Sequence, residues 1–227
     1  IRDKLVQRAL SEILIALYRD RVPFLHKVVG DAIKAYSSNK YAHYIRFDVK
    51  DFYPSVQHKI LLNQISQKIR GGAALKLIEE SLIQDTVAKP SGIKKWKSVG
   101  VPQGLSISNI LANIYMLPVD VKYGGSNNYK YFRYVDDIII FCSGDQVDKI
   151  KSDFTIDCEN LGLKLHNEED ADSKSRVGKI SDDFSYLGYK FSPLNISVRS
   201  KTVDKLRESL IRILTIYKHS RNKDIPR

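Results

Sequence analysis

The chain has 227 residues, of which 43% are hydrophobic and 28% are charged, and its formal net charge is +11. This composition is typical of a globular protein. No apolar run approaches the roughly 18 residues that a membrane span needs, which excludes a transmembrane protein and a membrane partner. Two cysteines cannot form a disulfide framework, so we expect reduced, buried thiols in a cytoplasmic protein. Because the chain begins with Ile1 and carries no leader, we expect an internal piece of a longer protein.

The basic charge is unevenly distributed along the chain. Residues 1–47, 48–100 and 194–227 carry net charges of +5, +4 and +6, whereas residues 101–193 carry −4. Basic flanks around an acidic middle are expected of a protein that binds a polyanion and concentrates carboxylates for a metal ion. Solvated helix faces with a chance bias would give the same pattern, and composition leaves both interpretations open.

Hydrophobic periodicity and turn residues predict a mixed series of helices and strands. In chain order these are helices over 3–18 and 24–36, a strand over 44–49, helices over 57–70 and 73–86, a loop or hairpin over 89–100, a helix over 106–118, strands over 129–134 and 138–142, a helix over 145–161, a strand over 163–166, a hairpin of strands over 186–192 and 195–199, and a helix over 202–217. Repeats and long linkers are absent from the sequence, which predicts one compact unit with subdomains.

The order from residue 44 onwards is β-α-β-β-α-β with a helical insertion, the order of the ferredoxin-like fold. In that fold the first strand lies beside the central hairpin, so Asp48 and Asp136 can meet despite their separation in sequence. Clustered carboxylates on an apolar sheet repel one another unless cations intervene, and magnesium prefers this ligand type. An ordinary exposed turn is the alternative for the Asp136-Asp137 pair. Because neighbouring strand residues face opposite sides, we expect these two aspartates to be unequal ligands.

Five segments resemble the palm motifs of reverse transcriptases, in the order of that family. They read Phe47-Asp48-Val49-Lys50-Asp51-Phe52-Tyr53-Pro54-Ser55-Val56, Gly100-Val101-Pro102-Gln103-Gly104-Leu105-Ser106-Ile107-Ser108, Tyr134-Val135-Asp136-Asp137, Leu161-Gly162-Leu163-Lys164-Leu165 and Tyr186-Leu187-Gly188-Tyr189. The first of them is similar to the bacterial branch, which includes group II intron, retron and phage-defence enzymes.

The resemblance implies an α+β protein with the right-hand fold of polymerases, in which a ferredoxin-like βαββαβ palm carries helical fingers. Its implied division assigns 1–43 and 57–99 to the fingers, 44–56 and 100–193 to the palm, and 194–227 to the end of the primer-grip hairpin and the start of the thumb. The N-terminal edge of the fingers and most of the thumb would then lie outside the chain.

The implied activity is that of an RNA-directed DNA polymerase, which adds deoxynucleotides to a primer 3′ end by phosphoryl transfer with two magnesium ions, or with manganese in their place. The implied partners are an RNA template, a DNA or RNA primer, and deoxynucleoside triphosphates. Two alternatives use the same fold: a defence-type relative that makes DNA with little or no template, and a catalytically silent scaffold that only binds RNA. The sequence does not indicate an oligomeric state.

The resemblance also implies roles for individual residues. Asp48, Asp136 and Asp137 would be catalytic, and Asp48, Asp136 and the Val49 carbonyl would bind metal. Nucleotide binding is implied for Phe52, Tyr53, Gln103 and Gly104. The Tyr53 ring would lie under the sugar and exclude a 2′-hydroxyl, whereas Phe52 is the better candidate for the core. Primer or template contacts are implied for Pro102, Tyr134, Leu187, Gly188, Lys94, Lys95 and Lys97.

Two details of the motifs bear on the chemistry. Gln103 lies in a Gly-rich turn, and we expect this turn at the N-terminus of a helix that Ser106 opens. Relatives usually place a lysine shortly after the Gly-Leu-x-Leu motif, often considered a proton donor to pyrophosphate, whereas this chain continues from Leu165 with His166-Asn167-Glu168. His166 and Lys174 are both candidates for that role.

Overall fold

The fold is known from a computed structural model that describes residues 2–83, 98–170 and 173–221. The chain divides into two compact units, the first ending at Lys179 and the second beginning at Ile180. This division corrects the expectation of one compact unit, because the residues after Lys179 build a small sheet of their own. Each unit is described below by itself.

The first unit alternates helices and strands along the described chain. In order, these are α1 (Arg2–Leu17), α2 (Leu25–Ser37), β1 (His43–Lys50), α3 (Phe52–Ser55), α4 (His58–Ser66), α5 (Gly72–Ile83), α6 (Ser108–Tyr115), α7 (Leu117–Gly124), β2 (Lys130–Tyr134), β3 (Asp137–Cys142), α8 (Val147–Asn160), β4 (Lys164–Leu165) and β5 (Arg176–Lys179). The predicted α+β class and the predicted βαββαβ order are confirmed.

A five-stranded antiparallel sheet forms the centre of this unit. Its strands run in the order β2-β3-β1-β4, and β5 also pairs with β1. The predicted position of the first strand beside the central hairpin is confirmed, since His43 to Asp48 pair with Cys142 to Asp137. Strand β5 was not predicted. Its Arg176-Val177-Gly178-Lys179 segment lacks the apolar alternation of a strand, and it pairs with the edge of β1 that β4 leaves uncovered.

One face of β1 is buried against the helices. Ile45, Phe47 and Val49 are buried, and the Phe47 ring stacks on Phe154 of α8 with centroids 4.2 Å apart. Alternation then leaves Arg46 and Asp48 on the other, half-buried face. Both cysteines are free and buried as predicted. Burial raises the pKa of the thiols to about 11 for Cys142 and about 12 for Cys158.

Two predicted helices differ from the structure in their bounds. The helix predicted over 106–118 is two helices, α6 and α7, which meet at Met116. Pro118 is the reason, since it lies in the first turn of α7 and does not end α6. The helix predicted over 57–70 ends at Ser66, ahead of the Gly71-Gly72 pair. Most of the loop predicted over 89–100, with Lys94, Lys95 and Lys97, lies outside the described residues.

The second unit contains a three-stranded antiparallel sheet and a helix. The elements are β6 (Phe184–Tyr186), β7 (Tyr189–Phe191), β8 (Ile196–Val198) and α9 (Ser200–Arg221). The strand predicted over 186–192 is therefore wrong, because a tight turn at Leu187-Gly188 splits it. Within the described part of the chain, no helix is both long enough and apolar enough to cross a membrane.

Candidate active site

Asp48 lies near the end of β1, at one end of the sheet. Three hydrogen bonds hold Asp48. Its carbonyl accepts the His166 N–H at 2.8 Å and its N–H donates to Ser175 Oγ at 3.0 Å. Its side-chain Oδ2 accepts the Lys174 N–H at 3.1 Å. His166 and Ser175 thus fix the backbone of Asp48, and the Lys174 N–H orients its carboxylate. Ser175 is buried, as expected for a supporting residue.

The hairpin of β2 and β3 brings two further carboxylates to the same end. Tyr134 pairs with Asp137, so the turn consists of Val135 and Asp136 alone. Asp137 is also the register partner of Asp48. Asp136 lies in the turn just before β3, next in sequence to Asp137. The predicted meeting of the first strand with the aspartate hairpin is therefore present in the structure.

The carbonyl of Val49 points towards this hairpin. Because the Asp48 carbonyl bonds to His166 beside β4, the next carbonyl along the strand points to the opposite edge of β1, which β3 occupies. The carbonyl oxygen of Val49 and the carboxylates of Asp48 and Asp136 thus come from the end of β1 and from the turn just before β3.

Asp137 differs from the other two aspartates because it is paired with Arg46. The Arg46 guanidinium donates to both carboxylate oxygens, with Nη2 at 2.8 Å from Oδ1 and 3.1 Å from Oδ2, and the Asp137 side chain is only 21% exposed. Burial raises the pKa of Asp137, and Arg46 and Lys174 partly oppose that rise. The prediction that these two aspartates are unequal ligands rested on strand alternation, which does not apply because Asp136 lies in the turn before β3; the structure shows only that Asp137 is paired with Arg46.

Tyr53 and Phe52 follow β1 in the short helix α3. Phe52 is 4% exposed and belongs to the core, as expected, so direct contact between Phe52 and a nucleotide has no support. Tyr53 is half-buried and packs edge-on against Phe52, with centroids 5.6 Å apart. Burial raises the pKa of Tyr53, and the charge of Asp136 and the nearby Tyr134 add to that rise. The Tyr53 ring therefore borders the aspartate turn.

The Gly-rich segment before α6 is joined to the same region through the backbone. The Val101 N–H donates to the Tyr53 carbonyl at 2.8 Å, and the Gly100 N–H donates to the Val56 carbonyl at 2.7 Å. Gly100 has a φ of 102°, and a Cβ there would lie 3.3 Å from the Pro54 carbonyl oxygen, so the close approach needs glycine. The segment leads to Gln103.

Gln103 and Gly104 are exposed, and Pro102 is half-buried. Gln103 lies in a turn ahead of α6 as predicted, but the predicted start of the helix is wrong, because α6 begins at Ser108. The reason is local: the Ser108 hydroxyl bonds to the Pro102 carbonyl, which closes the loop ahead of the helix. Ser106 consequently does not open α6.

The two candidates for a proton donor lie in different surroundings. His166 Nδ1 is 3.1 Å from Asp170 Oδ2, and Lys50 Nζ is 2.8 Å from the same oxygen. Hydrogen bonds from Lys50 and from His166 lower the pKa of Asp170 to about 2. The charge of Lys174, by contrast, acts on Asp137. Both residues bind Asp48 through their backbone, His166 at its carbonyl and Lys174 at its carboxylate.

The donor chemistry fits magnesium. Among residues 2–83, 98–170 and 173–221, no three acidic, histidine or cysteine side chains are grouped to hold a metal ion. Magnesium, however, is usually held by only one or two carboxylates and takes its other ligands from water and substrate phosphates. The carboxylates of Asp48 and Asp136, with the carbonyl of Val49, supply hard oxygen ligands of this kind.

Comparisons with known proteins agree with this geometry. A family described as Reverse transcriptase (RNA-dependent DNA polymerase) matches residues 1–191. The chain belongs to the reverse transcriptase family. Over 130 residues this reverse transcriptase domain is 30% identical to the "Uncharacterized 91 kDa protein in cob intron" of Schizosaccharomyces pombe, a match that covers 52% of the chain and 16% of that protein.

Solved telomerase structures share the fold. The apo telomerase of Candida tropicalis, truncated from its C-terminal domain, aligns with a TM-score of 0.59 at 18% identity, over 86% of this chain and 45% of the telomerase. Telomerase of Candida albicans in complex with a fragment of telomeric RNA gives a TM-score of 0.61 at 15% identity, over 88% and 38%. The reverse transcriptase domain thus spans about a sixth of the intron protein and less than half of each telomerase chain.

Sequence reasoning missed several residues of the site. Arg46 carried a usable signal, because it lies two positions before Asp48 and so on the same strand face. Ser175 carried none, since nothing in its neighbourhood marks it as the partner of the Asp48 N–H. Arg133, next to Tyr134, was also missed. In the second unit, Leu187 and Gly188 form the turn between β6 and β7, with φ of 46° and 86°.

Proposed function

We propose that this chain is the fingers and palm region of an RNA-directed DNA polymerase that adds deoxynucleotides to a primer 3′ end. The observation that supports this most is the β1–β3 register, which sets Asp48 opposite Asp137 and places Asp136 next to that pair. Carboxylates gathered beside a half-buried tyrosine and an exposed glutamine loop suit a site for a nucleotide and its metal ions. The domain division at 1–43, 44–56, 57–99, 100–193 and 194–227 is part of the same proposal.

Asp48, Asp136 and the carbonyl of Val49 would hold magnesium, with two ions expected and manganese as an alternative. When bound, such ions stabilise the charge on transferring phosphates and activate the attacking hydroxyl. Asp137 would support the site with less direct contact to the metal, since its carboxylate is bound to Arg46. That ion pair keeps Arg46 from competing for Asp48 on the same strand face.

Tyr53, Gln103 and Gly104 would bind the incoming nucleotide. The half-buried Tyr53 ring beside Asp136 would lie under the sugar and reject a 2′-hydroxyl by steric conflict. Gln103 is exposed, and its loop is tied to Tyr53 through the Val101 hydrogen bond, so the two would move together. Lys174 is the candidate that we favour for donating a proton to pyrophosphate, because its backbone binds the Asp48 carboxylate, whereas the His166 side chain is bound to Asp170.

Contacts with the primer and template would come from several segments. Pro102 and Tyr134 adjoin the nucleotide loop and the aspartate turn of the first unit. Leu187 and Gly188 would form a primer grip, in which the absence of a side chain at Gly188 lets a nucleic-acid backbone approach closely. Lys94, Lys95 and Lys97 would contact phosphates. An RNA template and a DNA or RNA primer are the partners.

Within the family, we place the chain nearest the group II intron enzymes of the bacterial-type branch. The first palm motif resembles that branch, and the Schizosaccharomyces pombe relative is named for its location in an intron. Retron and phage-defence enzymes are the neighbouring alternatives.

Primer extension by the full-length protein tests the proposal. The protein is given a DNA or RNA primer annealed to an RNA template, all four deoxynucleotides and magnesium, and the products are sequenced. We expect products complementary to the RNA, and none when the template is omitted. Products unrelated to the template would indicate the defence-type alternative, and full binding of RNA without extension would indicate the silent scaffold. Either result would overturn the proposed function.

A further inference from the structure

A buried ion pair lies behind the aspartate turn, on the β2 side of the hairpin. The side chain of Arg133 in β2 is only 1% exposed. Its guanidinium donates two hydrogen bonds to the Asp120 carboxylate of α7, with Nη2 at 2.5 Å from Oδ2 and Nε at 2.7 Å from Oδ1. Burial alone lowers the pKa of Arg133, but the hydrogen bonds and charge of Asp120 outweigh that effect and raise it. The guanidinium is therefore charged.

The remaining contacts of this guanidinium reach the turn itself. Arg133 Nη1 donates to the Val135 carbonyl at 2.9 Å and to Asn113 Oδ1 at 3.1 Å. Asn113 lies on α6 and donates to the Asn109 carbonyl at 2.9 Å. Tyr131 donates to Asp120 Oδ1 at 2.9 Å, which leaves the network anchored on two helices and one strand. A single side chain thus joins α6, α7 and the aspartate turn.

Val135 is the residue that needs such support. Its φ is 58°, a left-handed conformation that is unfavourable for a β-branched side chain. Such conformations persist only where the surrounding structure fixes them, and they are concentrated at functional sites. The Val135 carbonyl is held by Arg133, and the next residue is Asp136.

Packing alone does not account for a charged pair at this place. Burying an ion pair carries a large desolvation cost, and apolar side chains of similar volume fill such a space at least as well. Only a planar guanidinium can donate two hydrogen bonds to Asp120 and still direct a further donor at Val135 and Asn113. Lysine in its place would keep the charge but lose that geometry.

We propose that Arg133 is a positioning residue that holds the Val135-Asp136 turn in its left-handed conformation and thereby sets the position of the Asp136 carboxylate. The inference deepens the proposed function, since the turn it fixes is the one that would bind metal and nucleotide. Asn113 and Asp120 act through Arg133, as the residues that orient its guanidinium.

Hydrogen–deuterium exchange on the metal-free full-length protein tests the positioning without requiring activity. In Arg133→Lys we expect faster exchange at the amides of residues 134–137, with α8 and the β6–β8 sheet unchanged. Lys122→Ala is the matched control, because it removes an α7 ion pair to Asp157 that does not reach the turn. Unchanged exchange at 134–137, or equal acceleration across the whole first unit, would overturn the proposal.

Kinetics of nucleotide addition give the second readout. A turn displaced by a fraction of an ångström is expected to lower kcat by roughly 10- to 100-fold while the KM for the primer-template stays near that of the wild type. The magnesium concentration for half-maximal rate should rise, and Lys122→Ala should change neither quantity. A raised primer-template KM with unchanged kcat in Arg133→Lys would contradict a positioning role.

A double variant separates positioning from general packing. Glycine adopts the left-handed conformation freely, so Val135→Gly should reduce the loss caused by Arg133→Lys when the two are combined. If Arg133→Lys does not fold, Asn113→Ala removes one neutral acceptor of Arg133, together with the Asn113–Asn109 hydrogen bonds within α6, and should show the same local exchange pattern more weakly. Losses that simply add in the double variant would mean that Arg133 does not act through the turn. Because the exchange arm needs no substrate, failure of the proposed activity would be recognised separately.

Discussion

Two hairpins of this protein each close with two residues, and they solve the same backbone problem differently. The turn between β6 and β7 is Leu187-Gly188, with both φ values positive, the type I′ form that suits the twist of paired strands. The turn between β2 and β3 is Val135-Asp136, with valine at the first position in a left-handed conformation. The first residue of each turn, Leu187 or Val135, is left-handed; glycine occupies the second position of one turn, whereas the other has no glycine at all.

The difference shows what the second position is used for. At Gly188 the absent side chain lets the hairpin close without backbone strain and, in the proposed primer grip, leaves room for a nucleic-acid backbone. At Asp136 the position carries a carboxylate, so the strain at Val135 is balanced by a hydrogen bond from the buried Arg133. Substitutions should therefore affect catalysis at the aspartate turn and stability at the glycine turn.

The largest effect is expected from Asp136→Asn. The variant should lose RNA-templated nucleotide addition while it remains folded, because the amide is a poor magnesium ligand. Removing one of several carboxylates that repel one another should leave the melting temperature of the metal-free protein equal or higher. Extension rates are measured by single-nucleotide addition. Asp153→Asn, an exposed change on α8, is the control and should have no effect.

Tyr53→Ala is expected to alter sugar selection. Opening space beside Asp136 should raise incorporation of ribonucleotides relative to deoxynucleotides by roughly tenfold or more, each factor of ten corresponding to ~1.4 kcal/mol of discrimination. Tyr53→Phe keeps the ring and should change little. The ratio of kcat/KM for the two sugars is the measurement. Equal losses with both sugars, together with a lower melting temperature, would mean that Tyr53 only packs the core.

Gly188→Ala tests the glycine turn. A Cβ there would be 3.4 Å from Thr202 Oγ1, an ordinary contact, so the expected cost of about 1 kcal/mol in the free energy of unfolding comes from the φ of 86°. Urea unfolding of the full-length protein, with hydrogen exchange in β6 and β7 as the local readout, measures it. A neutral result would show that this backbone conformation is not strained for alanine.

Val135→Gly is expected to give the smallest change in stability, within about 1 kcal/mol. Relief of the left-handed valine is offset by the lost burial of its half-exposed side chain and by the greater freedom of glycine in the unfolded chain. The same unfolding measurement compares it with Gly188→Ala. A large destabilisation would mean that packing of the Val135 side chain contributes more to the free energy of unfolding than its backbone strain removes.

Much of the first unit could be predicted from the sequence because its strands and helices carry clear periodicity. The apolar positions of β1 and the apolar run of β3 identified the pair that brings Asp48 to the aspartate hairpin. Strand β5 could not be found in this way, since Arg176 to Lys179 lack alternation and depend on the free edge of β1. The break between α6 and α7 was missed as well. Pro118 favours the first turn of a helix and begins α7, whereas the sequence prediction took it to mark the end of one long helix.

The site was predictable where a motif carried it and not where tertiary contacts did. The proposed roles of Asp48, Asp136 and Tyr53 come from segments that resemble reverse transcriptase motifs, and the structure brings the segments that carry them to one end of the sheet. Arg133 and Ser175 depend on partners that are distant in sequence, for example the Asp48 N–H that bonds to Ser175. The start of α6 at Ser108, two residues later than the predicted Ser106, was missed because the Ser108–Pro102 hydrogen bond ahead of the helix has no sequence pattern of its own.

The most direct test of the account is single-turnover addition of one deoxynucleotide to a primer on an RNA template, with wild-type full-length protein and its Asp48→Asn variant. Asp48 and Asp136 reach one site only through the β1–β3 register, so we predict that Asp48→Asn abolishes addition as fully as Asp136→Asn does, with unchanged binding of the primer-template. A wild-type rate in Asp48→Asn would contradict the claim that the two strands build one active site.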